Sequence, residues 1–78
     1  MEREWAIYAS FNIGGKQMYV MAFGPAPRIY EALGSAKSSI ALAYRDADME
    51  SIDFTCAMEV PFEGNGKWYV RETVAEEF

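Results

Sequence analysis

Apolar side chains recur at every second position near both ends of the chain and at every third or fourth position in its middle. From Glu4 to Asn12, Trp5, Ile7, Ala9 and Phe11 fall on one side, and Ala6, Tyr8 and Ser10 on the other. That is the alternation of a strand with one buried face. Gly14-Gly15 follows as a two-residue turn. It sets Ile13 opposite Lys16, Phe11 opposite Met18, Ala9 opposite Val20 and Ile7 opposite Ala22, so both strands show their apolar rows to the same side. The reverse of this hairpin carries Ala6, Tyr8, Ser10, Tyr19, Met21 and Phe23 and is unusually apolar for an outer face. Gly24, Pro25 and Pro27 then end the second strand, because proline lacks the ladder donor and suits the first turn of a helix.

From about Arg28 the spacing changes. Ile29, Leu33, Ala36, Ile40, Ala43, Tyr44 and Ala47 recur at three and four, which predicts one helical stripe. Gly34 costs a helix interior roughly 1 kcal/mol relative to alanine. Ser35 is able to cap a fresh start, so the segment reads either as one helix or as a turn followed by a main helix over 35–46. The small residues Ala32, Ala36, Ala43 and Ala47 let it sit close to a sheet.

Beyond Glu50 the period returns to two, with Ile52, Phe54, Cys56, Met58, Val60 and Phe62 in one row. A three-residue loop of Gly64, Asn65 and Gly66 predicts a second hairpin in which Phe62 faces Trp68, Val60 faces Val70 and Cys56 faces Val74. On its other side Glu63 meets Lys67 and Glu59 meets Arg71, pairs worth about 0.2–1 kcal/mol each. Glu72 lands opposite Met58 on the apolar side and is expected near the end of the sheet. Pro61 predicts that this end of the third strand is unpaired on one side or bulged. The tail 75–78 reads as a short frayed end.

The expected architecture is therefore α+β: a β-β-α-β-β order, with a four-stranded antiparallel sheet and one helix packed on one face, in a single domain spanning 1–78. Antiparallel neighbours follow from strand order 2-1-3-4 or 1-2-4-3, with the former favoured.

Composition narrows the class. At 78 residues, 51% hydrophobic and 15% aromatic, the chain is compact rather than disordered and has room for one core. The lone Cys56 forms no internal disulfide; its place in the apolar row predicts a small buried hydrophobe in a reducing compartment. No stretch approaches the roughly 20 apolar residues of a membrane span, and the start is not that of a leader peptide, so a cytoplasmic protein is expected. The net charge of −5 is unevenly distributed: residues 1–45 carry three acids and five bases, whereas 46–78 carry nine acids and two bases. Asp46, Asp48, Glu50, Asp53, Glu59 and Glu63 follow one another with no base between them. Such a surface repels phosphates and favours basic partners.

Catalytic motifs fail on inspection. Asp46, Asp48 and Glu50 resemble the opening of a calcium loop, but Ser51 stands where the sharp-turn glycine belongs and Ala57 where the bidentate glutamate belongs. Gly14-Gly15-Lys16 and Gly64-Asn65-Gly66-Lys67 lack phosphate-loop spacing and are explained as turns. There is no histidine, and Cys56 has no base beside it. No enzyme activity, cofactor or metal is expected. An RNA-stacking platform built on Tyr8, Tyr19, Phe23 and Tyr69 needs basic flanks, and the flanks here are acidic.

What remains is a protein interface. Tyr8, Tyr19, Met21 and Phe23 supply anchors, and Asp46, Asp48, Glu50, Asp53, Glu59 and Glu63 supply steering charge toward a basic protein surface. In size, acidity, α+β form and lack of catalytic motifs the chain resembles the small phage-encoded anti-CRISPR proteins. The resemblance is one of type and brings no residue-level motif. It implies binding to a CRISPR effector subunit in the host cytoplasm, with loss of DNA recognition or nuclease recruitment. The alternative is a homodimeric structural or adaptor domain that pairs through its aromatic outer face.

Overall fold

A computed structural model describes residues 3–61 and 66–74 of the chain. Strand β1 (Arg3–Ile13) and strand β2 (Lys16–Ala26) form the first hairpin. Gly14 and Gly15 close it with φ of 56° and 78°, the left-handed values that a tight two-residue turn demands. Its register is the expected one, with Ile13 opposite Lys16, Phe11 opposite Met18 and Ile7 opposite Ala22. β2 continues through Pro25 to Ala26, further than the prolines suggested. Pro25 lies opposite Glu4 on the β1 side, and on the other side strand pairing stops at Phe23, so its missing N–H leaves no gap in the ladder.

Helix α1 (Ile29–Ala43) runs unbroken through Gly34 and Ser35. Arg28 precedes it in extended conformation, and the Ala32 N–H donates to the Arg28 carbonyl at 3.0 Å. At the other end the Tyr44 N–H makes the last helical bond, to the Ile40 carbonyl at 2.8 Å, and the helix stops because Tyr44 itself leaves helical conformation with φ −129° and ψ 82°. Only part of the expected stripe is inside. Ala32, Ala36 and Ile40 are fully buried, while Ile29 and Ala43 are exposed and Ala47 belongs to the next strand. Two fully buried alanines bring the helix close to β2 and leave room beneath it for the larger side chains of the sheet.

Strand β3 (Ala47–Val60) and strand β4 (Tyr69–Glu72) complete a four-stranded antiparallel sheet in the order β3-β1-β2-β4. β1 lies between β2 and β3, as expected. The second hairpin is not formed: Val60 lies opposite Glu4, and Val70 lies opposite Ala22. Phe62, Glu63, Gly64 and Asn65 lie outside the described residues, so the Phe62–Trp68 and Glu63–Lys67 pairings do too. Glu59 meets Arg3 at 3.5 Å instead of Arg71.

The physical reason lies in Trp68. Its indole lies directly against the bare backbone of Gly24, where any Cβ would collide with the ring, and its Nε1 donates to the Pro25 carbonyl at 2.9 Å. Trp5 donates in the same manner to the Ala26 carbonyl at 2.9 Å. These contacts hold β4 on β2, and β3 contains no glycine that would give the indole such a slot.

One face of the sheet carries the core. Trp5, Ile7, Ala22 and Ala26 pack with Ala32 and Ala36, and Ala9, Phe11 and Val20 pack with Ile40. Burying Phe11, Ile7, Val20 and Ile40 contributes about 1.5–3 kcal/mol each. Tyr44 closes the far end, its ring 5.4 Å from that of Phe11 and tilted by 53°.

Two predictions follow from this packing. Gly24→Ala should lower the urea midpoint by the equivalent of about 1–3 kcal/mol, because the indole has to leave its slot. Gly34→Ala, exposed in mid-helix with nothing within 4 Å, should raise it by about 1 kcal/mol. Equal effects of the two substitutions would contradict the assigned roles. The second prediction concerns Tyr44, whose hydroxyl is held above its ordinary value of 10.0 by burial and then by the negative charge of Glu72. The folded state therefore binds this proton more tightly than the unfolded chain. Its contribution to stability is complete below pH 10 and is lost as pH rises through the folded-state value. Tyr44→Phe should remove that component of the alkaline loss, measured as urea midpoint against pH.

Candidate functional site

Cross-strand partners project to the same side of a sheet, so the register assigns every side chain on the face away from α1. Five rows cross it. Val60, Glu4 and Pro25 form the first; Met58, Ala6, Phe23 and Tyr69 the second; Cys56, Tyr8, Met21 and Arg71 the third. Asp53, Ser10 and Tyr19 form the fourth, and Asp48, Asn12 and Gln17 the fifth. The expected aromatic group of Tyr8, Tyr19, Met21 and Phe23 is thus brought together on two adjacent strands. Met21 lies at the bottom of it, with only 5% of its surface exposed.

The β4 edge adds residues not among the expected anchors. Tyr69 stacks on Phe23 with ring centroids 5.1 Å apart and planes at 20°, and the Arg71 guanidinium lies 5.9 Å from the centre of the Phe23 ring. Arg71 also reaches the Met21 sulfur at 4.0 Å. These contacts exist because β4 sits beside β2, a pairing that the alternation of residues alone does not specify.

The β3 edge departs from its expected single apolar row because the strand slips twice against β1. Tyr8 lies opposite Cys56 and Ala9 opposite Phe54, which leaves Thr55 as an extra residue; a shift of one residue exchanges the faces. Ile52 and Phe54 therefore turn toward the helix, whereas Cys56, Met58 and Val60 emerge on the open face. Cys56 is exposed and is not the buried hydrophobe the pattern predicted. The second slip sets residues 49–52 against Phe11 alone. Here the Asn12 N–H donates to Ser51 Oγ at 2.8 Å, Ser51 Oγ donates to the Asp48 carbonyl at 2.6 Å, and the Glu50 N–H donates to Asp48 Oδ1 at 3.1 Å. Side chains thus replace the ladder where the strand bulges.

The same slips sort the acids. Asp48 and Asp53 project from the β3 edge onto the open face, Glu50 sits exposed in the bulge, and Asp46 is exposed in the turn before it. None of these four makes an ion pair among the described residues. Glu59 departs from the expected set: it lies opposite Trp5 on the helix side and pairs with Arg3. Glu63 lies outside the described residues. Among the described residues no three of His, Cys, Asp or Glu gather as metal ligands, and no helix is long and apolar enough to cross a membrane.

Glu4 is a member of this face that the sequence pattern did not single out. It is 7% exposed, and its side chain makes no hydrogen bond or ion pair with another described residue. On the opposite side of the molecule a shallow open groove of about 470 Å³ runs between α1 and Trp68, lined by Glu31, Gly34, Ser35, Ser38 and Ser39. Among these described lining residues Glu31 is the one ionisable side chain, so they bring no reactive pair together. Comparison with family models, curated proteins and solved structures found no match to this chain.

The exposure of Cys56 is directly measurable. A thiol reagent such as dithiobis-nitrobenzoate should modify the folded protein completely and within about tenfold of the rate for the urea-unfolded chain. Strong protection in the folded state would return Cys56 to the core and contradict the slip at Thr55.

Proposed function

We propose that the chain is a small protein-binding inhibitor of the anti-CRISPR type, which lays the β3 side of its open sheet face on a basic, nucleic-acid-handling surface of a CRISPR effector subunit. One arrangement supports this reading. Asp48 and Asp53 leave the sheet on the same face as Tyr8, Tyr19 and Phe23, with Asp46 and Glu50 beside them and, among the described residues, no ion pair to neutralise any of the four. Carboxylates without counter-charges project their field outward and steer association with a basic surface; aromatic side chains next to them supply the contact that persists after encounter. A surface of this sign takes the place of phosphates and does not bind them. The inhibitor would act in the host cytoplasm, with no catalytic step and no cofactor.

A second reading has its own observation. The row of Met58, Ala6, Phe23 and Tyr69 crosses all four strands without a charge, and Met58 and Tyr69 are 43% and 54% exposed. Such a strip suits a homodimer that pairs open face to open face. Light scattering across a range of concentrations separates the two, since a monomer throughout leaves the strip to a different protein.

The proposal is tested by displacement of labelled target DNA from purified DNA-targeting CRISPR effector complexes at about 50 mM salt. The wild-type protein should displace DNA from at least one of them. Asp48→Lys with Glu50→Lys and Asp53→Lys should weaken that displacement at least about tenfold, with an unchanged urea midpoint. No displacement from any complex, or full potency of the triple variant, would remove the reading.

A further inference from the structure

The acids at the β3 edge explain how a basic surface is attracted, but they do not explain Glu4. Its carboxylate belongs to a residue more than nine-tenths buried, on the open face, between Val60 of β3 and Pro25 of β2 and one row from Met58, Ala6 and Phe23. Every cross-strand neighbour in those two rows is uncharged. Arg3, next in sequence, projects to the other side and pairs with Glu59, and Arg71 stands two rows away over the Phe23 ring. Among the described residues only Thr73 Oγ1 is a side-chain oxygen both sealed from solvent and unpartnered. Glu4 keeps 7% of its surface exposed.

A carboxylate on a residue more than nine-tenths buried, with no side-chain partner among the described residues, is a poor arrangement for stability and a good one for capturing a cation. Any hydration given up at this buried position lowers the desolvation cost that an incoming cation faces there and strengthens the local field. We infer that Glu4, walled by Val60, Pro25, Ala6 and Phe23, is a socket for an arginine side chain of the partner protein. Arginine fits better than lysine on chemical grounds. The planar guanidinium binds a carboxylate through two parallel N–H donors, and its weak hydration tolerates apolar walls, whereas an ammonium gives up a tightly held water shell. The socket lies at the opposite end of the open face from Asp48, so steering and anchoring are assigned to different ends of one surface.

This inference rests on the reading of the chain as a binder of basic proteins, and the experiment separates the two. The probes are fluorescein-labelled nona-arginine and nona-lysine peptides, titrated at about 50 mM salt into wild type, Glu4→Gln, and the triple lysine variant of Asp48, Glu50 and Asp53. Wild type should bind nona-arginine more tightly than nona-lysine, with amide shifts centred on Glu4, Ala6, Phe23 and Val60. Glu4→Gln should weaken nona-arginine binding about tenfold and abolish the preference over lysine. Its urea midpoint should be equal to or above that of wild type, because no internal partner is lost. Equal affinity for the two peptides in wild type, an unchanged Glu4→Gln, or a fall in its urea midpoint would overturn the socket. If the triple variant alone loses binding, the basic-partner reading stands and the socket falls. If neither variant changes binding, both fall.

Discussion

The contact between the Trp68 indole and the backbone of Gly24 organises the rest of this molecule. A strand of only four residues, Tyr69–Glu72, has little ladder of its own to hold it. The indole supplies the missing attachment by lying where Gly24 has no side chain and by donating to the Pro25 carbonyl. Beyond Phe23 no strand pairs with β2 on that side, so the carbonyl needs a donor from elsewhere. Trp5 meets the same need at Ala26 from the other neighbouring strand. Two indoles thus finish an end of the sheet that the ladder leaves open, and their rings continue as the wall of the core under Ala32 and Ala36.

How far the fold was legible depends on where each element sits. β1 and β2 are central, each has one face under the helix, and a glycine turn sets their offset, so alternation alone yields the observed pairing residue by residue. The helix was legible in place but not in extent, since it ends at Ala43 and Ala47 opens the next strand, and the spacing did not show that Ile29 and Ala43 would stay exposed. β3 is an edge strand with a single ladder, and two slips cost it little because nothing on its outer side has to match. An uninterrupted apolar row from Ile52 to Phe62 therefore misleads: Thr55 breaks the phase, and Cys56, Met58 and Val60 change sides. The pairing of β4 was not legible from alternation at all, since Val70 suits either neighbour. The available signal was a glycine inside a strand with a tryptophan far along the chain, a large ring in need of a slot and a slot without a side chain.

The aromatic half of the candidate face followed from the same alternation that set the first hairpin. The acidic half did so only in part, because it sits on the strand that slips. The slips separate two kinds of acid that look alike in the sequence. Edge strands commonly carry charge to discourage pairing with another sheet, and that purpose is served wherever along the edge the charge lies. Glu59 fits this role, turned toward the helix side and matched with Arg3. Asp48 and Asp53 have no such match and stand on the face that carries Tyr8 and Tyr19. Edge protection accounts for the presence of these acids but not for their side.

Departures from ordinary packing rules occur on both sides of the sheet, since Ile29, Tyr30 and Leu42 of α1 are also exposed. Under the helix the large side chains are buried and the turns and glycines suit their positions. On the open face Glu4 is buried without a partner, Thr73 Oγ1 is sealed and unsatisfied, and Met58 and Tyr69 are exposed. Each of these is unfavourable in an isolated small domain, where total stability is limited and about 1 kcal/mol matters. On the open face they lie beside acids that make no ion pair among the described residues, which is the combination of apolar contact area and unmatched charge that the proposed binding face requires.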